Sequence, residues 1–320
     1  MEVAQAYPPG FPVPAVPDQL LPAHPIRLLV ADLDGTLLDA RGRVSPGNAA
    51  AVRKARAAGI EVVVATGRSW LESRGTLEAI GCEGLMIAAG GATLHDSRSG
   101  RILSRRTVEM HLVERICESL IRHGHLAHLL QDPEAAGRDY TLIGEAKLDP
   151  ASEWWFGVHP VSIRRCRTLE EARPLEATIR AGTVAVAEEL AAVAAELRED
   201  LGDAVHLQHW SAQTPNEAIG SRIHLLEIFA RETNKWTMIE DVLKLRGHAP
   251  HEVAAVGDGL NDLQMVGRAG FGVAMGNADP RIAAAAKVAV GHHDRDGFAE
   301  AVELILAARR AGRPDGPWGR

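Results

Sequence analysis

The chain alternates short, continuous apolar runs with longer segments whose apolar residues recur at helical spacing. In the first part, apolar runs at 26–31, 60–65 and 85–88 are separated by segments that we predict to be helices at 46–58 and 70–80. Strands buried on both faces of a parallel sheet are almost wholly apolar. The pattern therefore predicts a parallel sheet that helices cover on both sides.

The same alternation returns near the end of the chain. Strands are predicted at 253–256 and 271–274, and helices at 235–245, 260–267 and 298–308. Together the two parts predict an α/β fold with a doubly wound parallel sheet, whose ligand site lies at the carboxyl ends of the strands.

The middle of the chain has a different pattern, with short strands interrupted by polar residues. Helices are predicted there at 108–123, 169–180 and 185–198. We interpret this part as an α+β domain inserted into one loop of the parallel-sheet domain. The predicted division is a core of residues 26–91 and 223–308 with an insert of residues 92–222.

Both ends of the chain are rich in residues that oppose regular structure. The first 25 residues contain Pro8, Pro9, Pro12, Pro14, Pro17, Pro22 and Pro25. Proline cannot donate a backbone hydrogen bond, so residues 1–25 are predicted to be a flexible arm, although a partner that recognises proline-rich segments stays open. Residues 309–320, with several glycines and prolines, are predicted to be a flexible tail.

Composition excludes several classes of partner. The formal net charge of −7 argues against a nucleic-acid-binding surface. No apolar run approaches the roughly 20 residues of a membrane span, and no secretory signal is recognisable at the start. Cys82, Cys117 and Cys166 lack metal-ligand spacing, which predicts free thiols in a reducing, cytoplasmic location.

Polar groups follow three of the predicted strands directly. They are Asp32 and Asp34, Thr66 to Arg68, and Asp258 and Asp262. The carboxyl ends of parallel strands meet at one edge of the sheet, so these groups are expected to converge with Lys235, which begins a helix. Carboxylates held close together repel one another unless a cation lies between them, which predicts a bound metal. Mg²⁺ favours such oxygen ligands.

This combination of groups fits nucleophilic phosphoryl transfer. An aspartate can attack phosphorus to form an aspartyl-phosphate, and a second carboxylate can protonate the leaving oxygen and later activate water. A hydroxyl and an ammonium group can bind the phosphoryl oxygens, while a divalent cation neutralises charge.

The ordered motifs resemble those of haloacid dehalogenase-superfamily phosphatases. Asp32-Leu33-Asp34-Gly35-Thr36-Leu37 is similar to the first motif, Ala65-Thr66-Gly67-Arg68 to the second, Lys235 to the third and Gly257-Asp258-Gly259-Leu260-Asn261-Asp262 to the fourth. Ala274-Met275-Gly276-Asn277-Ala278 resembles a stretch of the Cof-type subfamily. The resemblance implies a Rossmann-like core with an inserted α+β cap, and Mg²⁺-dependent hydrolysis of a small phosphate monoester.

The resemblance also implies roles for individual residues. Asp32 would be the nucleophile and Asp34 the general acid and base. The phosphate would be bound by Thr66, Gly67, Lys235 and Asn261. Mg²⁺ would be held by Asp32, the backbone carbonyl of Asp34 and Asp258, with Asp262 in support.

Two departures from the subfamily pattern bear on substrate choice. Gly90-Gly91-Ala92 stands where Asn-Gly-Ala is usual, and Trp236 follows Lys235 where glycine is usual. The bulky indole of Trp236 would narrow the pocket or pack in the core. We therefore name as candidates for substrate specificity Arg68, Gly90, Gly91, Trp154 and Trp155. The two tryptophans could equally pack inside the insert or join two copies of the chain.

Other interpretations stay open at this point. A phosphomutase would share these motifs, and a non-catalytic binding module could retain the fold. His123, His125 and His128 could bind zinc, but a helix that ends at Gly124 is the favoured reading. The expected partner is a small phosphorylated metabolite, such as a sugar phosphate, and the expected assembly is a monomer or homodimer.

Overall fold

The structure is a computed structural model that describes residues 24–211 and 223–311 and contains two β-sheets. Nearly all of the predicted arm, and residues 312–320 of the predicted tail, lie outside the described residues. Among the described residues, no helix combines the length and apolar character needed to cross a membrane.

The strands and helices follow one another in an order close to the predicted one. The strands are β1 (Leu28–Ala31), β2 (Glu61–Ala65), β3 (Leu85–Ala88), β4 (Thr93–Asp96), β5 (Ile102–Arg105), β6 (Ala127–Gln131), β7 (Tyr140–Ile143), β8 (Ile163–Cys166), β9 (Thr178–Val186), β10 (Val205–Ser211), β11 (Ile223–Ala230), β12 (Val253–Gly257), β13 (Phe271–Ala274) and β14 (Val288–Ala289). The α-helices are α1 (Pro46–Ala57), α2 (Trp70–Ala79), α3 (Met110–Arg122), α4 (Pro133–Ala136), α5 (Pro150–Val158), α6 (Ala187–Leu201), α7 (Lys235–Arg246), α8 (Leu263–Arg268), α9 (Pro280–Ala285) and α10 (Gly297–Ala311).

The larger sheet has the order β14-β13-β12-β1-β2-β3-β4-β5. The strands from β14 to β3 run parallel, and β4 and β5 continue the sheet in antiparallel fashion. One face packs against α1 and α10, and the other against α7 and α8. The predicted α/β fold with a parallel sheet between helical layers is confirmed.

The smaller sheet has the order β10-β11-β9-β6-β7-β8 and is formed by the chain between β5 and α7. Helices α3 and α6 pack on one of its faces through a separate apolar core. The chain passes from the larger sheet to the smaller one after β5 and returns before α7, and these two crossings lie side by side. Arg106, just after β5, donates to the carbonyl of Thr237 at 3.3 Å and forms an ion pair with Asp241 on α7.

The sheets do not divide at the predicted boundaries of 92 and 222. Strands β4 and β5, assigned to the insert, belong to the larger sheet because Ala89–Gly91 forms a tight turn that folds β4 back on β3. Strand β11, assigned to the core, pairs with β9 and β10 in the smaller sheet.

Two helical predictions also need correction. The helix predicted at 169–180 is wrong: turns precede β9 there, and Pro174 removes a backbone donor that a helix would need. The last helix continues to Ala311, so the first residues of the predicted tail are helical.

Candidate active site

A cavity of about 470 Å³ lies between the carboxyl ends of the larger sheet and the open face of the smaller one. The larger sheet contributes the loops after β1, β2 and β12, which carry the motif residues. The smaller sheet contributes residues of β9 and β11, and α5 adds its aromatic side chains. The convergence expected from the sequence is therefore present.

The loops after β1 and β12 are fixed against each other. Gly35 has a φ of 74°, and a Cβ there would collide with the carboxylate of Asp258. The hydroxyl of Thr36 donates to Asp258 Oδ1 at 3.0 Å inside the protein. A glycine followed by a small hydroxyl residue thus lets the two acidic loops approach closely.

Three buried carboxylates, those of Asp32, Asp258 and Asp262, form an acidic cluster. One oxygen of each lies within 4.8 Å of the others. Burial, followed by the charge of Asp262, raises the pKa of Asp258 to about 7 against the opposing effects of Thr36 and Lys235. Burial and the neighbouring carboxylates also raise the pKa of Asp32, although Lys235 opposes them. The cluster is therefore a place where a cation would be stabilised.

Lys235 supplies one positive charge to this cluster. Its Nζ donates to Asp32 Oδ1 and to Asp262 Oδ1, each at 2.6 Å, and its side chain is fully buried. Burial alone would lower the pKa of Lys235, but the two carboxylates raise it, so the ammonium stays charged. Asn234 caps the helix and fixes this position, accepting a hydrogen bond from the Thr237 amide at 3.0 Å. Lys235 does not itself line the cavity.

Asp262 and Asn277 hold the loop after β12 in place. Asp262 Oδ2 accepts hydrogen bonds from the backbone amides of Asp258 at 3.0 Å and Gly259 at 3.1 Å. Asn277 Nδ2 donates to the carbonyl of Gly35 at 2.8 Å and to Asp258 Oδ2 at 3.2 Å. Asn277 received no role from the sequence, although it lies in the stretch that resembles the Cof type.

Neutral hydrogen-bonding groups form the next part of the cavity wall. Thr66, Gly67 and Asn261 all line it. The hydroxyl oxygen of Thr66 accepts from the Arg68 amide at 3.2 Å, which leaves its proton available for donation. The Asn261 amide lies 3.9 Å from the position of a Cβ on Gly67, so the loops after β2 and β12 are neighbours.

Asp34 faces the cavity in an ion pair with Arg68. Arg68 Nε donates to Asp34 Oδ2 at 2.8 Å, and Nη2 contacts the other carboxylate oxygen. The guanidinium also lies 5.0 Å from the ring of Trp155 on α5. Arg68 therefore joins the predicted general acid to the insert.

Glu72 on α2 links the core to the insert by hydrogen bonds. It accepts from the hydroxyl of Tyr140 at 2.8 Å and from Trp155 Nε1 at 2.7 Å, while the Ser69 amide donates at 2.7 Å. Burial raises the pKa of Glu72, but Arg180 and these donors outweigh it and lower the pKa. The carboxylate is therefore ionised although it is buried.

Arg180 on β9 makes a second link of this kind. Its Nη1 donates to the carbonyl of Gly67 at 3.0 Å and pairs with Glu227, and its Nη2 donates to Tyr140 at 3.1 Å. Glu72, Tyr140, Arg180 and Glu227 were all missed by the sequence analysis. They lie far apart in the chain and follow no motif: strand pairing brings Tyr140, Arg180 and Glu227 together, and the packing of the insert on the core adds Glu72.

The specificity candidates have mixed outcomes. Trp154 and Trp155 line the cavity, as Arg68 does. Gly90 and Gly91 do not line it: a Cβ on Gly90 would lie 3.1 Å from Phe229, and one on Gly91 would collide with the backbone carbonyl of Asn234. Their lack of side chains permits close packing beneath the site rather than contact with substrate.

Trp236, His123 and His125 do not line the cavity, whereas His128 does. Trp236 is buried in the core of the larger sheet, and its Nε1 donates to Glu240 at 2.7 Å, so it does not narrow the pocket. Helix α3 ends at Arg122, and His123 Nδ1 lies 2.9 Å from the Ser119 carbonyl. Within the described ranges, the groups placed to share a metal do not include His123, His125 or His128.

Comparisons with known proteins agree with this geometry. The sequence model of the haloacid dehalogenase-like hydrolases matches residues 29–302. Phosphatase YwpJ of Bacillus subtilis is 27% identical over 301 residues, which cover 88% of this chain and 100% of that protein. Pyridoxal phosphate phosphatase YbhA of Escherichia coli is 26% identical over 277 residues, 86% of this chain and 96% of that protein.

A solved structure extends the likeness to the fold. The structure of a haloacid dehalogenase-like hydrolase from Bacteroides thetaiotaomicron is similar with a TM-score of 0.72 and 25% identity, covering 88% of this chain and 99% of that one. The resemblance seen in the motifs is confirmed by these findings. The chain belongs to the haloacid dehalogenase-like hydrolases and is a phosphatase of their Cof type.

Proposed function

We propose that this phosphatase hydrolyses a small phosphorylated metabolite through a phosphorylated Asp32, with Mg²⁺ held at the acidic cluster. The arrangement of Asp32 carries the proposal. Lys235 holds Asp32 Oδ1 at 2.6 Å, and among the described residues Asp32 Oδ2 has no hydrogen-bond partner. One carboxylate oxygen is thus fixed, while the other is available to attack phosphorus at the cavity wall.

The residues present fit a divalent cation. Of the three buried carboxylates, two pair with one lysine, and burial together with mutual repulsion raises the pKa of both Asp32 and Asp258. Asp32, the carbonyl of Asp34 and Asp258 would hold Mg²⁺, with Asp262 in support, because carboxylate and carbonyl oxygens suit this ion. Bound Mg²⁺ would neutralise charge on the nucleophile and on the phosphoryl group.

The surrounding residues provide the remaining steps. Oδ2 of Asp32 forms a bond to phosphorus while the bond to the leaving oxygen breaks, and Asp34, protonated and released from Arg68 when the substrate is bound, gives that oxygen a proton. Asp34 then takes a proton from water, whose oxygen attacks phosphorus and releases Asp32. Thr66, the Gly67 amide and Asn261 donate to the phosphoryl oxygens, and Lys235 keeps the nucleophile oriented.

The insert shields these steps from bulk water. Tyr140 and Trp155 bind Glu72, and Arg180 binds the Gly67 carbonyl, so the smaller sheet closes over the loops of the larger one. A closed, poorly hydrated site strengthens each electrostatic contact within it and protects the phosphorylated aspartate.

Phosphate release from a panel of phosphate monoesters, with and without Mg²⁺, tests the proposal. We expect release that requires Mg²⁺ and is lost in Asp32→Asn. Hydroxylamine added during turnover should trap the phosphorylated carboxyl group on the peptide that contains residue 32. Asp203→Asn makes the same chemical change at an exposed residue and should leave activity intact. Wild-type turnover in a folded Asp32→Asn variant would refute the mechanism.

A further inference from the structure

Three residues form a row across the smaller sheet where it faces the cavity. His128 on β6 pairs with Gly182 on β9, and Gly182 pairs with Glu227 on β11. All three line the cavity. Paired residues on neighbouring strands point to the same face of a sheet, so His128 and Glu227 flank a position that has no side chain.

The glycine in this row leaves a notch in the cavity wall. A Cβ on Gly182 would collide with the backbone carbonyl of Leu226, so no side chain can fill the space between the flanking residues. The strands on either side are separated by two strand spacings, about 10 Å. This width suits a ring or a short polyol.

Glu227 offers an acceptor in this notch. Glu227 is only 6% exposed, and its Oε1 accepts a hydrogen bond from Arg180 in an ion pair. Within residues 24–211 and 223–311, Oε2 has no hydrogen-bond partner. Burial raises the pKa of Glu227, Arg180 opposes this effect, and Glu72 adds to it. A buried carboxylate oxygen that faces a cavity is best satisfied by a donor on the bound molecule.

His128 offers both a donor and an acceptor on the other side. Among the described residues, its ring has no hydrogen-bond partner. Burial lowers the pKa of His128 to about 4. Asp149 opposes this effect, and the positive charges of Arg180 and Arg165 add to it. The imidazole is therefore neutral near pH 7 and carries one N–H and one free nitrogen.

The charges around the notch leave it slightly negative. Arg180 lies between the carboxylates of Glu72 and Glu227, so one cation faces two anions. The ion pair of Arg68 with Asp34 adds no net charge. An additional anionic group placed here would be repelled, whereas a neutral or cationic group would not.

Beyond the notch, the wall becomes apolar. Val184 on β9, Leu225 on β11 and Trp210 on β10 form the next row on the same face, and all line the cavity. Trp154 and Phe156 of α5 line it as well. A bound molecule therefore meets polar groups at the notch and apolar surface around it.

We infer that His128 and Glu227 form a subsite for the leaving group, which recognises hydrogen-bond donors on an uncharged or cationic molecule and rejects one that carries a carboxylate or a second phosphate. The inference rests on the proposed phosphatase reaction and deepens it, because it defines the class of the ester. A hydroxyl or an N–H on a ring-sized leaving group would donate to Glu227.

Three benzyl phosphates that differ only at the para position test this inference. The substituents are hydroxymethyl, methyl and carboxylate, so the leaving oxygen is nearly the same in each. We expect wild-type kcat/KM to favour the hydroxymethyl compound over the carboxylate by about tenfold to a hundredfold, as for a hydrogen bond to a charged group. In Glu227→Gln the ratio of kcat/KM for the hydroxymethyl compound to that for the carboxylate compound should fall towards one, mainly because the variant accepts the carboxylate compound.

Two further variants separate recognition from folding. Glu227→Asp keeps the negative charge that pairs with Arg180 but places it farther from the notch. This variant should therefore have a lower kcat/KM for the hydroxymethyl compound and should still discriminate against the carboxylate compound. Glu199→Gln makes the matched change at an exposed position on α6, which does not line the cavity, and should alter neither value. Thermal unfolding of each variant reports whether it is folded.

The outcomes distinguish this inference from the reaction on which it rests. Equal kcat/KM values for the three compounds in the wild type would overturn the proposed subsite. A folded Glu227→Gln variant that kept the wild-type ratio of kcat/KM between the hydroxymethyl and carboxylate compounds would overturn it as well. Turnover of p-nitrophenyl phosphate with no turnover of the hydroxymethyl compound would overturn it too, and would leave the proposed reaction in place. Absence of turnover with every compound would defeat both.

Discussion

The two walls of the cavity balance their charges differently. On the core wall, the ammonium of Lys235 pairs with Asp32 and Asp262, while Asp258 lies beside them without a cation in contact among the described residues, and its pKa is raised to about 7. On the wall formed by the insert, Arg180 pairs with Glu227, and Arg180, Trp155 and Tyr140 together lower the pKa of the buried Glu72 that the core presents to them. The first wall has more carboxylates than cations, whereas the second pairs its charges closely and keeps, within the described part of the chain, unpaired hydrogen-bonding atoms on Glu227 and His128.

This difference assigns separate tasks to the walls. An excess of carboxylates can bind a metal and activate a nucleophile, but it has little means of discriminating between leaving groups. Fixed donors and acceptors on the insert cannot break a phosphate ester, but they can select the molecule attached to it. Variants of the core wall should therefore change turnover for all substrates, and variants of the other wall should change it selectively.

After the loss of activity in Asp32→Asn, the largest effect is expected for Asp258→Asn. This change removes a predicted metal ligand, and turnover should fall about a thousandfold with every ester, since metal charge is worth several kcal/mol in such reactions. Titration with Mg²⁺ checks the cause, because the variant should need far more metal. A fall confined to some esters would contradict the separation of tasks.

The same cluster predicts a pH dependence of stability without metal. Burial and neighbouring carboxylates raise the folded-state pKa of Asp32 and of Asp258, so their protonated forms favour folding. The contribution of Asp258 is lost as the pH rises through its folded-state pKa of about 7, and that of Asp32 is lost in the same direction. The unfolding temperature of the metal-free protein should fall between about pH 5 and pH 8, and Mg²⁺ should restore it most at the higher pH. An unfolding temperature that did not change with pH would show that ionisation of these carboxylates does not destabilise the folded protein.

Lys235→Met should be the most destabilising of the single changes. Removal of the ammonium leaves Asp32 and Asp262 buried together without a countercharge, which costs about 3–5 kcal/mol for a broken buried pair. Urea unfolding in the absence of Mg²⁺ measures the loss. Lys244→Met, at an exposed lysine on α7, is the control, and equal stability of the two variants would contradict this account.

Glu72→Gln tests the contacts that close the insert over the core. It weakens the acceptor for Tyr140 and Trp155, so we expect kcat/KM to fall about tenfold, as for hydrogen bonds to a charged group. Small and large leaving groups should be affected unequally, because only the large ones reach the insert. Glu78→Gln on the exposed side of α2 should have no effect.

The smallest effect is expected for Trp236→Phe. Trp236 packs in the core, and its hydrogen bond to Glu240 is partly exposed, so stability should fall by about 1 kcal/mol while the order of preferred esters is unchanged. Denaturant unfolding and the ester panel check both parts. An altered order of preference would mean that the side chain reaches the substrate after all.

The core wall was predictable because its chemistry is local in sequence. Asp32, Thr66 and Asp258 each follow an apolar strand at once, and parallel strands bring such ends together. The fixed position of Lys235 was not predictable from its spacing. It depends on Asn234 as a helix cap and on two carboxylates contributed by the segments that follow β1 and β12.

The opposite wall could not be found in this way. His128, Gly182 and Glu227 meet only through the pairing of β6, β9 and β11, and the misread helix at 169–180 concealed the beginning of β9. Gly90 drew attention as a departure from a motif, yet its absent side chain serves close packing against Phe229. Sequence alone could not distinguish a glycine that leaves space in the cavity wall, such as Gly182, from one that permits close packing, such as Gly90.

The contact of Arg106 with Thr237 and Asp241 has a consequence for protein engineering. The chain leaves the larger sheet and returns to it at adjoining points, so the intervening segment begins and ends in one place. A segment of this kind can be exchanged as a cassette with little disturbance to the strands that remain. A chimera joined at these crossings would acquire a new choice of ester and retain the hydrolytic machinery of the old one.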